Sequence, residues 1–165
     1  MFRIGQGWDR HKLAPGRPCV LGGVFFDDCP VGPVGHSDGD AICHAVTDAV
    51  LGAAGLGDIG SHFPDTDPAW AAADSIELLQ RAWALVTAGG WALGNLDVTA
   101  ITEQPLLAPR RGEMAKRLAD TLGTSPNHIS IKGTRGEGVG PEGRGECVTV
   151  LAIVLLVPGE PGEGS

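Results

Sequence analysis

One aspartate and two histidines are the side chains of this sequence whose types and spacing best suit chemistry. Asp9 and His11 are two residues apart, and His44 lies in a later segment. One carboxylate and two imidazoles suit a divalent cation such as zinc, and three protein ligands leave a position open for a substrate oxygen. A single histidine is more often a hydrogen-bonded structural residue or a surface group, so the surrounding sequence must decide.

A helix is predicted to carry His44. Apolar residues recur at helical spacing over residues 41–54, with His44 on the polar face and Asp40 as the N-cap. The positive end of this helix would lie near residues 36–37 and would suit an anion such as phosphate. We expect His44 to reach a loop that contains Asp9 and His11.

Strand and helix patterns alternate along the rest of the chain. Capping residues and apolar spacing predict one helix from Asp74 to Gly89 and another from Pro109 to Gly123. Alternation or continuous apolar character predicts strands at residues 2–5, 19–26, 96–101, 129–132 and 146–157, the first two forming a hairpin-like pair.

These elements predict an α/β (α+β) sandwich, with a mixed four-stranded sheet, helices on one face and a small hairpin. The last strand is apolar on both parities, which is typical of a sheet buried on both faces. Because the helices cover only one face, we expect the other to be buried by subunit association.

Length and charge limit the class of protein. The 165 residues fit a single domain over residues 1–157, followed by a disordered tail over residues 158–165. The net charge of −8 argues against a nucleic-acid partner, because such proteins need a basic surface. An acidic protein that binds a phosphorylated substrate would need divalent cations to offset the repulsion.

The cysteines and the residues near the two ends of the sequence indicate where in the cell the protein is expected. Four cysteines without Cys-x-x-Cys spacing are expected to be free thiols. The apolar run over residues 148–157 is too short to span a bilayer, and no charged-then-apolar leader opens the chain. We therefore expect a cytoplasmic protein without a membrane partner.

Four polar, glycine-punctuated segments resemble the signature segments of the 2-C-methyl-D-erythritol 2,4-cyclodiphosphate synthase family, an enzyme family of non-mevalonate isoprenoid biosynthesis. They are Gly5-Gln6-Gly7-Trp8-Asp9-Arg10-His11, His36-Ser37-Asp38-Gly39-Asp40, residues 57–68 and Gly143-Arg144-Gly145-Glu146. The resemblance covers residues 2–157, and the order of the segments is more specific than any one of them.

The resemblance implies a homotrimer whose sheets face the threefold axis, with three active sites at subunit interfaces. It implies a cyclising, CMP-releasing phosphorus–oxygen lyase that acts on a cytidine diphosphate-linked methylerythritol 2-phosphate. Asp9, His11 and His44 match the zinc ligands. Glu137 matches the ligand of a second cation, magnesium or manganese, and with Thr134 it is assigned to catalysis.

The resemblance also assigns substrate contacts. His36, Ser37, Phe63 and Asp65 match residues around the methylerythritol phosphate, and Asp58 and Gly60 match ribose contacts. The nucleotide site would comprise Thr102, Pro105, Leu106, Leu107, Gly133, Thr134 and Arg135, and Arg144 matches a residue of the trimer interface. On the residues alone, loop aspartates and serines more often cap their own turns than contact a ligand, and Arg144 equally suits a solvated surface position.

Two departures affect the nucleotide site. Leu106 stands where the family usually has a lysine, and Thr134-Arg135-Gly136 replaces a run of small hydroxylated residues. We interpret Arg135 as compensation for the missing positive charge, against the alternative of a solvated arginine. Two other functions remain open: a metal-dependent phosphohydrolase, and a non-catalytic trimeric protein that binds metal and nucleotide.

Overall fold

The computed structural model describes residues 1–159 and contains one five-stranded sheet and a separate two-stranded hairpin. The strands are β1 (Arg3–Pro15), β2 (Val20–Leu21), β3 (Val24–Phe25), β4 (Val31–Pro33), β5 (Trp91–Ile101), β6 (Ile129–Thr134) and β7 (Cys147–Pro158). The helices are α1 (Ala41–Ala54), α2 (Ile59–His62), α3 (Ser75–Ala88), α4 (Arg111–Leu122) and α5 (Gly140–Gly143). Short 3₁₀ turns occupy Pro68–Trp70, Ala108–Arg110 and Pro126–His128.

The sheet has the order β4-β1-β7-β5-β6. β7 is antiparallel to both β1 and β5, whereas β6 is parallel to β5, so the sheet is mixed as predicted. The predicted number of four strands is wrong, because β4 adds a short fifth strand against the end of β1.

The beginning of the chain differs from the prediction. β1 is 13 residues long and includes Asp9 and His11, which were expected in a loop. Residues 20–25 pair with each other as β2 and β3 and not with the first strand. The motif near residue 10 contains too many polar residues to alternate clearly, and its pairing with the apolar β7 makes it a strand.

The helices agree closely with their sequence patterns. α1 has Asp40 as its N-cap and ends at Gly55 in the left-handed conformation, and α3 begins after Asp74, whose carboxylate accepts from the Ile76 N–H. α4 begins after the 3₁₀ turn that contains Pro109 and ends at Gly123. The short α2 and α5 were not predicted, since four residues are too few for an apolar period.

The core lies between the sheet and the helices. α1 packs on β1 and β7, α4 packs on β6, and α3 contacts α1 and α4. In β7 one parity is fully buried: Val148, Val150, Ala152, Val154 and Leu156. Burial of each of their larger aliphatic side chains stabilises the fold by about 1.5–3 kcal/mol.

The opposite face of the sheet remains largely uncovered in the single chain. Ile4, Trp8 and Ile153 are 65%, 52% and 51% exposed and lie on the neighbouring strands β1 and β7. An uncovered group of large apolar side chains marks a surface that binds another apolar surface. The predicted need for burial of this face is therefore visible in the fold.

No helix among residues 1–159 is long and apolar enough to cross a membrane. The tail predicted for residues 158–165 lies almost entirely outside the described part of the chain. Pro158 itself is the last residue of β7 and pairs with Trp91.

Candidate active site

Three side-chain atoms from β1 and α1 converge on one point. Asp9 Oδ2 lies 2.8 Å from His11 Nε2 and 3.2 Å from His44 Nδ1, and the two nitrogens are 3.0 Å apart. Within residues 1–159, these are the one group of three His, Cys, Asp or Glu side chains spaced to hold a metal ion. The three predicted ligands are thus brought together, although His11 and His44 are 33 residues apart in the sequence.

A hydrogen bond on the far side of the His11 ring determines which of its nitrogens can bind a metal. His11 Nδ1 lies 2.8 Å from the Val34 carbonyl oxygen, which can only accept, so Nδ1 carries the hydrogen and Nε2 presents a lone pair. Asp9 Oδ2 is buried and, within residues 1–159, has no hydrogen-bond partner other than these imidazole nitrogens. A buried oxygen without a donor beside imidazole nitrogens fits a divalent cation.

The pKa values of Asp9 and His11 also indicate that the cluster favours a positive charge. Burial raises the pKa of Asp9, but hydrogen bonds and charge from the two imidazoles lower it more, and the result is a pKa well below the usual range. Burial lowers the pKa of His11, but Asp9 raises it above the ordinary value. Asp9 therefore favours a positive charge on its neighbour His11, and a divalent cation at this point would supply such a charge.

Two glycines of β1 bring the ligands within reach of each other. A Cβ atom on Gly7 would lie 1.8 Å from the Ala45 carbonyl oxygen, and one on Gly5 would lie 2.0 Å from that of Ala49. Only glycine permits this close approach of β1 to α1. The approach places the β1 ligands against His44, which immediately precedes Ala45.

A cavity of about 400 Å³ opens beside the metal ligands. It is lined by His11, His36, Ser37, His44, Ile59, Gly60, Phe63, Pro64, Asp65, Trp70 and Leu78. The structure thus gathers the predicted methylerythritol contacts and one predicted ribose contact around the metal ligands. The cavity combines an apolar wall with several polar groups, which is typical of small-molecule sites.

The loop after α2 forms the apolar wall of this cavity. The Phe63 and Trp70 rings meet edge to face at a centroid distance of 5.1 Å, and the Arg81 guanidinium lies over Trp70. The Phe63 ring is held against Trp70, and Asp65 lines the open side. Trp70 was not among the predicted site residues, although it lies only two residues after the motif that contains Phe63.

Asp58 lies outside the first cavity of the single chain. Its exposed carboxylate caps α2 and accepts hydrogen bonds from the Ser61 N–H and hydroxyl, which lower its pKa. It does not line the cavity in this chain, whereas its neighbours Ile59 and Gly60 do. Within one subunit Asp58 therefore acts as a helix cap, which was the alternative to a ligand contact.

A second cavity, of about 340 Å³, contains the predicted nucleotide residues. Its lining is Thr102, Pro105, Leu106, Leu107, Ala108, Arg111, Gly133, Thr134, Arg135 and Glu137. It shares no lining residue with the first cavity. In one chain the metal ligands and Glu137 therefore belong to separate halves of the predicted site.

Glu137 is held in an unusual backbone conformation. Its φ angle of 52° lies in the left-handed region, which is rare for residues other than glycine. The Glu103 carboxylate accepts from the N–H groups of Gly136 and Glu137 at 2.9 and 3.2 Å. This anchor fixes the loop and leaves the exposed Glu137 side chain at the second cavity.

Arg111 is a second basic residue that the sequence analysis missed. It is the first residue of α4 and lines the second cavity together with Arg135. Neither guanidinium forms an ion pair in the described part of the chain. Nothing in its local sequence separates Arg111 from a solvated arginine, and only the fold places it beside Leu106.

Arg144 and the N-terminus of α1 lie apart from the two cavities or are otherwise occupied in the single chain. Arg144 lies outside both cavities and pairs with Glu146 at 2.7 Å on the surface of the single chain. The N-terminus of α1 is not available to an anion, because the fully buried Asp40 accepts from the N–H groups of Ile42 and Cys43. Asp40 also accepts from Gly22 and Gly23 and so ties the hairpin to α1.

The fold and the site agree with a single protein family. The YgbB family model matches residues 2–157, and the chain belongs to this family. A relative named 2-C-methyl-D-erythritol 2,4-cyclodiphosphate synthase, from Bacillus cereus (strain B4264), is 49% identical over 94% of this chain and 98% of its own length. The family resemblance of the sequence motifs is thereby confirmed.

Two further similarities concern architecture. A bifunctional IspD/IspF enzyme of Anaeromyxobacter dehalogenans (strain 2CP-C) is 52% identical over 93% of this chain, which spans only 39% of that enzyme. A solved 2C-methyl-D-erythritol-2,4-cyclodiphosphate synthase in a CDP-bound form has a TM-score of 0.86 and 40% identity, covering 94% of this chain and all of the solved chain. The domain thus occurs both alone and as part of a longer protein.

Proposed function

We propose that this protein is a 2-C-methyl-D-erythritol 2,4-cyclodiphosphate synthase. The observation that carries the proposal is the convergence of Asp9 Oδ2, His11 Nε2 and His44 Nδ1 beside the 400 Å³ cavity. The names of the relatives supply the reaction, and this site supplies the groups that it requires.

The reaction is an intramolecular displacement at phosphorus. In 4-diphosphocytidyl-2-C-methyl-D-erythritol 2-phosphate, an oxygen of the 2-phosphate forms a bond to the β-phosphorus. The bond from that phosphorus to the bridging oxygen breaks, and CMP leaves with the electron pair. No water is consumed and no covalent protein nucleophile is needed, so the enzyme must mainly position the phosphates and neutralise their charge.

The first cavity would bind the methylerythritol end. A divalent cation on Asp9, His11 and His44, zinc in our proposal, supplies neutralisation of phosphate oxygens when it is bound. His36 and Ser37 would donate hydrogen bonds to the methylerythritol phosphate. Asp65 would accept from substrate hydroxyls, and Phe63 would exclude water from the apolar side.

The second cavity would bind the cytidine diphosphate end. Backbone groups near Thr102 and Thr134 suit the base and ribose, and Glu137 suits a second cation, magnesium or manganese, that bridges the diphosphate. Thr134 would assist at the phosphates, with Arg135 and Arg111 as unpaired positive charges in the same cavity. A CDP-bound relative with the same fold supports a cytidine ligand here.

A homotrimer is part of this proposal. The two cavities of one chain share no lining residue, so a neighbouring subunit would have to join a first cavity to a second. The exposed apolar face of β1 and β7 supplies a surface for that association, with the sheets facing a threefold axis. Asp58 and Arg144 would meet ligand or partner only at this interface.

The proposal also includes the enzyme class and the cellular location. Release of CMP by cyclisation makes the enzyme a metal-dependent phosphorus–oxygen lyase and not a phosphohydrolase. A cytoplasmic location suits the four free cysteines, since thiols persist in a reducing compartment. The domain is proposed to extend over residues 1–157.

The test is product analysis. Purified protein with zinc and magnesium is incubated with the cytidine-linked substrate and followed by phosphorus NMR, and we expect CMP and a cyclic diphosphate in equal amounts. Appearance of CMP with a linear bisphosphate would instead support the phosphohydrolase. Retention of zinc and CDP binding without turnover would support the non-catalytic alternative.

A further inference from the structure

His44 has a second set of contacts on the side of the ring that faces away from the other ligands. Its Nε2 lies 2.9 Å from Ser75 Oγ and 3.0 Å from Ser37 Oγ. Ser75 is the first residue of α3, is only 1% exposed and lines neither cavity of the site, so it cannot contact substrate. Any effect of Ser75 on the reaction must therefore pass through a neighbouring side chain, and His44 is the metal ligand among its neighbours.

The single hydroxyl hydrogen of Ser75 is already committed. It is donated to Asp38 Oδ1 at 2.5 Å, and Asp38 Oδ2 also accepts from the Ser75 backbone N–H at 3.2 Å. Because a carboxylate only accepts, Ser75 Oγ has only lone pairs left for His44. The hydrogen between them must then belong to His44 Nε2, which leaves Nδ1 with a lone pair directed at Asp9 Oδ2 and His11 Nε2.

Ser37 differs from Ser75 because it lines the first cavity, so its hydroxyl is shared with the proposed substrate. Its oxygen also accepts a long hydrogen bond of 3.3 Å from the Gly39 N–H and lies 3.3 Å from Ser75 Oγ. Of the two serines beside Nε2, only Ser75 lies outside the cavity and donates its hydroxyl hydrogen to a carboxylate.

We propose that Ser75 and Asp38 form a positioning relay that holds His44 in the Nε2–H tautomer and orients its Nδ1 for metal binding. The relay deepens the proposed function and rests on its metal site. Groups that accept from the outer nitrogen of a histidine ligand fix its orientation and raise its basicity, and their loss typically weakens metal binding about 10- to 100-fold. For His11 the Val34 carbonyl has the same role.

The relay is tested by zinc affinity, measured on metal-free protein in competition with a chromophoric chelator. We expect Ser75→Ala to weaken zinc binding about 10-fold or more. Ser75→Thr retains a hydroxyl and should stay within about threefold of the wild type. In the zinc-loaded wild type, nitrogen-edited NMR should also detect a slowly exchanging proton on His44 Nε2 that Ser75→Ala exposes to rapid exchange.

Asp74→Ala is the matched control. It removes the N-cap of α3, which typically costs about 1 kcal/mol of stability, without removing a contact to His44. Zinc affinity in this variant should remain within about threefold of the wild type. An equal loss in Asp74→Ala and Ser75→Ala would overturn the relay in favour of a loosened helix end, and so would unchanged affinity in Ser75→Ala.

The zinc content of the wild type separates this inference from the proposed function. One equivalent of zinc per chain with an unaffected Ser75→Ala variant refutes the relay alone. A wild type that binds no zinc refutes the proposed metal site and the relay together.

Discussion

His44 links the metal site to both the helix layer and the substrate cavity. Its Nδ1 faces Asp9 and its Nε2 faces the serines, so the ring has no spare position. We expect His44→Ala to lose most of its zinc and to lower kcat by at least about 100-fold, measured by elemental analysis and turnover. His128→Ala is the control, because the exposed His128 side chain lies far from the cluster in the sequence and hydrogen-bonds to Thr124 Oγ1. One equivalent of zinc with retained activity in His44→Ala would exclude the assignment.

Glu137 tests the second cation separately from the first. Its cavity shares no residue with the zinc ligands, so Glu137→Gln should abolish most turnover and leave zinc content unchanged. Glu77→Gln, on the exposed first turn of α3, should leave both unchanged. Turnover of the Gln variant as a function of magnesium is the decisive measurement. Wild-type magnesium dependence in that variant would contradict the role of Glu137.

Arg135 tests the compensation for Leu106. The two residues line the same cavity, as the compensation requires. Arg135→Ala should lower kcat/KM at least about tenfold, equivalent to about 1.4 kcal/mol, and adding Leu106→Lys should restore part of the loss. Arg17→Ala, in an exposed loop, is the charge-matched control. Unchanged kcat/KM in Arg135→Ala would refute the compensation. The same measurement would then be made on Arg111→Ala.

At the scale of elements, the site depends on how closely β1 approaches α1. A Cβ on Gly7 would overlap the Ala45 carbonyl, so Gly7→Ala must separate strand from helix. We expect a loss of at least about 2 kcal/mol in the free energy of unfolding and weaker zinc binding, measured by urea denaturation and chelator competition.

Gly52→Ala provides the matched control for that change. Gly52 is exposed on α1, and a Cβ there would meet nothing within 4 Å. It should stabilise the helix by about 0.5–1 kcal/mol. Equal stability of Gly7→Ala and the wild type would show that the close approach is not required.

At the scale of the whole molecule, the uncovered sheet face is the feature to test. We expect the wild type to elute as a trimer in light scattering, because the face of β1 and β7 is apolar. Ile153→Glu should shift the protein towards monomer and reduce turnover, since a charge would be buried. Leu85→Glu alters a comparably exposed residue, 45% against 51%, on the helix side and should remain trimeric. A monomeric, active wild type would contradict the assembly.

The sequence by itself determined the elements with strong local signals. α1 and α3 follow from their caps and 3.6-residue periods, and the buried parity of β7 follows from its apolar run. The types of Asp9, His11 and His44 indicated a divalent cation, because carboxylate and imidazole together bind few other ligands. The order of the motifs indicated the family.

Only the tertiary structure decided how these parts meet. Whether Asp9 and His11 lie in a strand depends on pairing with β7, which begins more than 130 residues later. The roles of Ser75 and Arg111 depend on which residues α3 and α4 approach, and no local pattern encodes such distant neighbours. The separation of the two cavities also emerges only in three dimensions, because it reflects the space between elements and not the residues within one.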